Sequence, residues 1–339
     1  MIPHNKPSLG PEEEEAALRV LESGWVAQGV EVESLENECC SFLNLPEGHA
    51  VAVSSGTAAL FLSLWALDAT SKRVTFPVYV CSALRHATAL AGGIEVPVDV
   101  SGADPNVHME SVRRARPDIA IVPHMFGIPA DVRQFSGMKF IEDCAQSFGA
   151  SIDGVSSGLL GTMGVFSFYA TKLLTTGGQG GMVVSRQKDL IGRIRDYREF
   201  DQRRDSNKRF NFQMTDLQAA VGRAQLKKLP RFLRRREEIF ARYRATGHSF
   251  VDVPQGASAM KPVRYRAVLR TDDPARIIGA LAQRGIRAIV PVEPWELLGS
   301  EQEFPDAAKL SRTTVSIPLY PALKDDEVDS IVTALEACR

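Results

Sequence analysis

Residues 49–67, HAVAVSSGTAALFLSLWAL, decide how the chain folds. HAVAVSS reads as a short apolar strand, and GTAALFLSLWAL as a helix that begins where the strand ends. The same unit recurs on the C-terminal side. RVTFPVYV (73–80) reads as a strand and SALRHATALAGG (82–93) as its helix. GIEVPVDV (93–100), DIAIVPHMFG (118–127) and KFIEDCA (139–145) are three more short apolar strands, with helical or loop segments between them. Strands alternating with helices indicate an α/β fold around a mainly parallel central sheet. Functional loops in such sheets gather at the carboxyl ends of the strands.

On the N-terminal side, PSLGPEEEEAALRVLESG (7–24) reads as a helix. Pro11 suits its first position, the acidic run complements the helix dipole, and Gly24 can close it in a left-handed cap. A second helix follows in VEVESLENECCSFLNL (30–45). Past GGMVVS (180–185) the texture changes. Residues 189–212 are highly charged with no clear strand, and 215–246 form a long helical pattern expected to be interrupted at Pro230. From about residue 245, VRYRAVLRT and IRAIVPV read as strands, and PARIIGALAQRG and DDEVDSIVTALEAC as helices. The expectation is a large domain over 1–240 and a smaller α+β domain over 241–339. No internal repeat or low-complexity segment is visible.

The bulk numbers exclude several classes. The chain has 339 residues, of which 44% are hydrophobic and 24% charged, as in ordinary globular proteins. A net charge of -1 gives no electrostatic reason to expect nucleic acid as partner. Five cysteines, an odd number without a CxxC pair, favour a reducing, cytoplasmic setting over a disulfide framework. The six histidines show no zinc-site spacing, so no metal is expected. The opening MIPHNKPSLGPEEEE lacks the blocks of a signal peptide, and no apolar run is long enough to span a membrane.

Three stretches suggest chemistry. In FSFYATKLLTTGGQGG (166–181), Lys172 stands between an aromatic-rich strand and a glycine-rich turn. Burial there would lower its pKa, as a nucleophilic or Schiff-base amine requires, whereas a solvent-facing lysine needs no explanation. At Ser54-Ser55-Gly56-Thr57 a strand ends and a helix begins, so free N–H groups converge on a place suited to phosphate; a plain N-cap is the other reading. In IEDCAQSFGA (141–150), Asp143 either caps the next helix or faces a pyridinium nitrogen. Together, a helix start for phosphate, an acid and a lysine at successive strand ends are the parts that pyridoxal phosphate needs.

Six segments in order, 2–36 (IPHNKPSLG…ESLE), SSGTAAL, IEDCAQSFGA, GVFSFYATKLLTTGGQGGMVV, FNFQMTDLQAAVGRAQL and VSIPLYPALKDDEVDSIV, make the chain resemble the DegT/DnrJ/EryC1/StrS family of sugar aminotransferases. The resemblance runs almost end to end. It implies the fold type I architecture of pyridoxal-phosphate transferases and an aminotransferase moving nitrogen from L-glutamate, released as 2-oxoglutarate, to a keto-sugar, usually nucleotide-linked. Lys172 matches the Schiff-base lysine, Asp143 the acid at the pyridine nitrogen, and Gln146 the glutamine at the ring oxygen. Gly56, Thr57 and Ser167 match phosphate-pocket residues. Asn211 matches an asparagine that reaches the neighbouring subunit's cofactor, which implies a homodimer with shared active sites. Cys81 stands where the family usually stacks an aromatic residue on the cofactor, with Tyr79 as a possible substitute. Gln179 and Gln213 replace a common Glu and a common Arg. An aminocyclitol acceptor, or a non-catalytic cofactor-binding regulator, is the alternative. Lys172 argues against the family's dehydratases, which carry histidine at that position. His124 and Tyr320 are weighed as substrate contacts against structural roles, the arginines of 195–209 as diphosphate ligands against a solvated loop, and RFLRRREE as a polar helix face.

Overall fold

The computed structural model describes residues 1–102, 104–135, 137–254 and 256–338. Its centre is a seven-stranded sheet made of β1 (Ala50–Val53), β2 (Arg73–Pro77), β3 (Ile94–Val98), β4 (Ile119–Pro123), β5 (Phe140–Asp143), β6 (Met163–Ser167) and β7 (Gly181–Val184). The spatial order is β1-β7-β6-β5-β4-β2-β3. Every neighbouring pair is parallel except those of β7, which runs antiparallel to both β1 and β6. In register, Asp143 lies beside Pro123 on one side and Val165 on the other, so β4, β5 and β6 end at one edge.

Helices cover both faces, as a parallel sheet buried on two sides requires. They are α1 (Pro11–Ser23), α2 (Val30–Phe42), α3 (Gly56–Ala66), α4 (Ala83–Leu90), α5 (Met109–Ala115), α6 (Lys188–Arg198) and α7 (Asp216–Ala245). The period-2 pleat sorts the side chains. Val51, Val53, Val74, Phe76, Ile121 and Val183 point to the side packed by α3 and α4. Ala50, Ala52, Phe166, Met182 and Val184 point to the side packed by α2 and α7. Gly24 ends α1 at φ 71, the left-handed cap expected there. Asp216, at the start of α7, is buried and accepts the N–H groups of Gly29 (2.7 Å) and Val32 (3.0 Å), so it caps α2 from another helix.

Two expectations change. Pro230 does not interrupt its helix, because α7 runs unbroken through it. Proline removes one helical hydrogen bond, but Leu229 and Phe232 bury beside it, and that packing keeps the helix going. Residues 286–292 form no full strand and make only single bridges, Ile2 to Ile286 and Ile289 to Ser316. Pro291 lacks the N–H that a longer ladder would need.

The C-terminal part adds β8 (Ala267–Arg270), α8 (Pro274–Ala282), α9 (Pro305–Arg312), β9 (Thr314–Ile317) and α10 (Asp325–Glu336), with β8 and β9 antiparallel. Its apolar cluster takes in Ile239, Phe240 and Tyr243 of α7. The position 240/241 therefore falls inside a helix. Among the described residues, no helix is long and apolar enough to cross a membrane.

Candidate active site

The chemistry-bearing residues gather at the carboxyl edge of the sheet. β1 ends at Val53 and α3 starts at Gly56, with the Ser55 hydroxyl accepting the Ala58 N–H at 3.1 Å. The turn is pressed onto the neighbouring strand ends. A Cβ on Gly56 would lie 2.8 Å from the Ser167 Cβ, and one on Gly181 would lie 2.3 Å from the Ser55 carbonyl oxygen. Ser55 thus serves as the N-cap, yet the leading N–H groups of α3, at Gly56 and Thr57, have no acceptor within the helix. The cap reading and the anion reading coexist at this turn. Thr57 is exposed, and Ser167 lies against the turn from β6.

After β6 the chain loops out and returns as β7. Phe168 N–H donates to Gly180 O at 2.8 Å and Ala170 N–H to Gly178 O at 2.9 Å, which pins both sides of the loop. Lys172 sits at its turn, half-buried, with Nζ 5.3 Å from the centroid of the Tyr265 ring. It opens on a cleft of about 460 Å³ whose lining includes Cys81, Gln146, Lys172, Tyr265, Arg266 and Trp295.

Asp143 is buried at the end of β5. Its Oδ1 accepts the Ala145 N–H at 3.0 Å, a local turn of the capping kind. Burial pushes its carboxyl pKa up, against the opposing pull of that N–H, Lys172 and His124. Gln146 Oε1 accepts the Phe126 N–H at 2.7 Å, while its amide nitrogen has, among the described residues, only the Met125 sulfur, at 3.9 Å. A hydrogen-bond donor is thereby left available on the cleft wall. Cys81 is exposed to the cleft, yet desolvation raises its thiol pKa and the charge of Asp143 adds to the rise.

The structure decides several of the readings that the sequence leaves open and corrects others. Tyr79 does not stand in for the missing aromatic: it is fully buried, its hydroxyl lies 3.4 Å from Thr314 Oγ1, and its ring meets Phe126 edge-on. His124 is a structural residue. Its Nδ1 accepts the Ala130 N–H at 2.9 Å, so Nε2 donates to Glu142 at 3.0 Å, and Glu142 also accepts the N–H groups of Leu160 and Gly161. Tyr320 belongs to the C-terminal core. In RFLRRREE, Arg236 is not on a polar face: it is buried, and its Nη1 donates to the carbonyls of Arg264, Tyr265 and Leu319. Burial lowers its pKa to about 10.

Four of the five arginines of 195–209 are engaged within the chain, Arg204 being the exception among the described residues. Arg195 and Arg198 pair with buried Glu36, and Arg203 and Arg209 with Asp196. Asn211 does not line the cleft. It lies exposed, with Oδ1 accepting the Gln213 N–H at 3.0 Å. Gln179 and Gln213 also lie outside the cleft lining, with the Gln213 amide 3.5 Å from Glu199.

Three cleft residues are not legible as site residues in the sequence. Tyr265 and Arg266 read there only as part of the strand VRYRAVLRT, and Trp295 lies in none of the six segments that carry the resemblance. Tyr265 is buried beside the lysine. Burial raises its hydroxyl pKa, but Lys172, Arg266, Arg236 and the Thr171 side chain together outweigh that and hold it below the usual tyrosine range. The one sequence signal is the pairing of aromatic and cationic residues in RYR.

The model of the DegT/DnrJ/EryC1/StrS aminotransferase family matches residues 7–336. The chain belongs to this family. Spore coat polysaccharide biosynthesis protein SpsC of Bacillus subtilis (strain 168) is 29% identical, over 98% of this chain and 96% of its own. The dTDP-4-dehydro-2,3,6-trideoxy-D-glucose 4-aminotransferase of Saccharopolyspora spinosa is 28% identical, over 98% and 95%. The crystal structure of the aminotransferase TlmJ from Streptoalloteichus hindustanus superposes with a TM-score of 0.92 at 28% identity, covering 100% of this chain and 98% of that one. DegT/DnrJ/EryC1/StrS aminotransferases use pyridoxal phosphate, and this chain is an aminotransferase of that kind. The donor set fits that group: a helix start with spare N–H groups, an amine on a cleft wall, and a buried carboxyl that among the described residues has no cation at hydrogen-bond distance.

Proposed function

We propose that the protein transfers an amino group from L-glutamate to a keto-sugar carried on a nucleotide, in the making of amino sugars. The observation that carries this reading is the meeting of Lys172, Gln146 and Cys81 on one cleft, with Asp143 close enough to feel the charge of Lys172. The named substrate of the Saccharopolyspora relative is a nucleotide-linked keto-sugar, which supports the acceptor class.

In this reading the N–H groups of Gly56 and Thr57 and the hydroxyl of Ser167 hold the cofactor phosphate at the positive end of α3. Lys172 Nζ is the point of covalent attachment. Pyridoxal phosphate, when bound, supplies an electron-withdrawing ring that stabilises negative charge at the carbon losing its proton. Asp143 keeps the ring nitrogen protonated, and its desolvated carboxyl gains most from such a cationic partner. Gln146 would help to hold the group by donating from its amide nitrogen, and Cys81 would offer it less contact area than an aromatic residue. With that group bound, Lys172 Nζ would take the proton from the donor's α-carbon. The same nitrogen later gives a proton to the former carbonyl carbon of the sugar, so one residue serves as nucleophile, base and acid.

Asn211 extends this reading to a homodimer, its exposed amide reaching the cofactor phosphate of a second copy. The parts before and after residue 240 act as a large cofactor-holding unit and a small substrate-facing one that share α7.

The test is a visible absorption spectrum of the purified protein with pyridoxal phosphate, before and after L-glutamate. The expected result is a band of lysine-bound cofactor that glutamate converts to the aminated form and a nucleotide keto-sugar restores. Steady transamination by Lys172→Ala would sink the reading.

A further inference from the structure

We propose that the ring of Tyr265 seats the free amine of Lys172 and so keeps it from pairing with Asp143; this rests on the reading above that Lys172 Nζ is the reacting amine. Opposite charges attract strongly where water is scarce, and a direct ion pair between this lysine and this carboxyl would occupy both. Here they stay apart. Among the described residues Lys172 Nζ makes no hydrogen bond or ion pair, and the Asp143 carboxyl accepts only the Ala145 N–H. What Lys172 meets instead is an aromatic face: Nζ lies over the Tyr265 ring, 5.3 Å from its centroid. A ring face carries partial negative charge and attracts a cation within about 6 Å, more strongly where both are desolvated. Tyr265 is 5% exposed, so little water competes for the contact.

The seat is rigid. Tyr265 N–H donates to Phe126 O at 3.2 Å, and Tyr265 O accepts from Arg236 Nη1 at 3.1 Å. The backbone of the lysine is held as well. Its N–H donates to Tyr169 O at 2.9 Å, and the neighbouring Thr171 O accepts from Asn5 Nδ2 at 3.1 Å. Between these two anchors only the flexible lysine stem is free to move, and the ring limits where it goes. The ring takes cations in general, since Arg266 Cζ lies 5.8 Å from the same centroid.

A ring face also suits an amine that must come and go. A carboxylate would bind the amine through short, charge-assisted hydrogen bonds. The ring holds it by a weaker and less directional attraction, so the amine leaves for the cleft without first breaking such a bond. Asp143 meanwhile stays open to a cationic partner other than the lysine. Tyr265 is thus a positioning residue that acts through Lys172.

The experiment follows Lys172 by NMR in the full chain with isotope-labelled lysine Cε, before and after loading with pyridoxal phosphate, and measures the glutamate half-reaction of the loaded protein. Tyr265→Phe keeps the ring face and Tyr265→Leu removes it. Trifluorophenylalanine at position 265 keeps the shape but drains the face of its charge, and Lys172→Met identifies the signal. The expected result is a Lys172 Cε methylene signal displaced upfield by the ring in the cofactor-free wild type and in Tyr265→Phe, and returned to the ordinary lysine position in Tyr265→Leu. Adding Asp143→Asn should then move that signal in the Tyr265→Leu background, where the amine has gone to the carboxylate, and leave it in place in the wild-type background. The half-reaction rate constant should fall roughly 3- to 30-fold with leucine or trifluorophenylalanine, at an unchanged half-saturating glutamate concentration, and Tyr265→Phe should recover most of the loss. Equal losses in Tyr265→Phe and Tyr265→Leu would assign the role to the hydroxyl and overturn the inference. So would an undisplaced signal in the wild type, or leucine and trifluorophenylalanine proteins that react at the wild-type rate. If Tyr265→Leu does not fold, the trifluorophenylalanine protein carries the comparison. A wild type with the displaced signal that captures no pyridoxal phosphate refutes Lys172 as the reacting amine. One that reacts normally without the displaced signal refutes only the seat.

Discussion

Asp143 shows how a single residue can be costly until a ligand completes it. Its carboxyl is buried, its pKa is raised by that burial, and the charge of Lys172 compensates only in part. A carboxyl whose folded pKa is raised holds its proton more tightly folded than unfolded. Its contribution is fully present below the ordinary carboxylate range and is lost as pH rises through the folded pKa. Asp143→Asn should therefore raise the thermal midpoint of the cofactor-free protein near neutral pH while cutting transamination by about two orders of magnitude or more; calorimetry and a half-reaction assay read the two effects. Tyr265 offers a second check. Three cations hold its ionisation below the usual range, so removing one in Lys172→Met should move the tyrosinate absorbance change to higher pH. An unmoved titration would mean that Lys172 does not act on that ring. Lys172, Asp143 and the Ser-Gly-Thr turn are legible in the sequence because each follows its own strand, and a parallel sheet brings strand ends together. Tyr265 and Arg266 are not, because they arrive from a distant segment whose approach has no local pattern. Cys81 is legible by position, yet Tyr79 is not: β2 ends at Pro77, so the alternation of a strand does not carry on to residues 79 and 81.

Among the elements, the link between β4 and the 263–266 segment is the tightest fit. Gly127 has φ +85, and a Cβ there would sit 1.8 Å from the Val263 carbonyl oxygen. Gly127→Ala should cost roughly 3 kcal/mol or more and displace Tyr265 and Arg266 with it. Gly192 in α6 is the contrasting case: nothing lies within 4 Å of its Cβ position, and it is exposed in a helix interior. Gly192→Ala should stabilise by about 0.5–1 kcal/mol, and denaturant midpoints of the two variants should move in opposite directions. Neither outcome could be foreseen from composition, because both glycines look alike until the neighbouring segment is in place. The same holds for Pro230 and Arg236 in α7. Local propensity argues for a break at one and a polar face at the other, while packing against the core and three carbonyls decides otherwise. Element type follows the hydrophobic pattern for most of the sheet, where apolar runs are strong, and departs from it at 286–292, where pairing is reduced to single bridges.

At the scale of the whole molecule, the N-terminal strap ties distant parts together. Ile2 bridges to Ile286, and His4 Nε2 lies 2.8 Å from Ser316 Oγ, on β9. Burial, with Arg266 and Arg287 nearby, lowers the His4 pKa to about 3. A base whose folded pKa is lowered binds its proton more tightly when unfolded. Stability should thus fall as pH drops below the ordinary histidine value near 6.5 and keep falling toward about 3, by at most about 1.4 kcal/mol per pH unit for this one group. His4→Gln should flatten that slope in urea unfolding series run across the window. An unchanged slope would show that the strap carries no proton-linked energy. The long helix has a consequence of another kind. α7 has 30 residues, about 45 Å of unbroken rod, with one end in the sheet's core and the other in the C-terminal core. A cut at 240/241 would part Ile239 and Phe240 from Tyr243 and open the C-terminal centre. Recombination that respects folding must therefore carry the last turns of this rod, from Ile239 onward, along with the small unit.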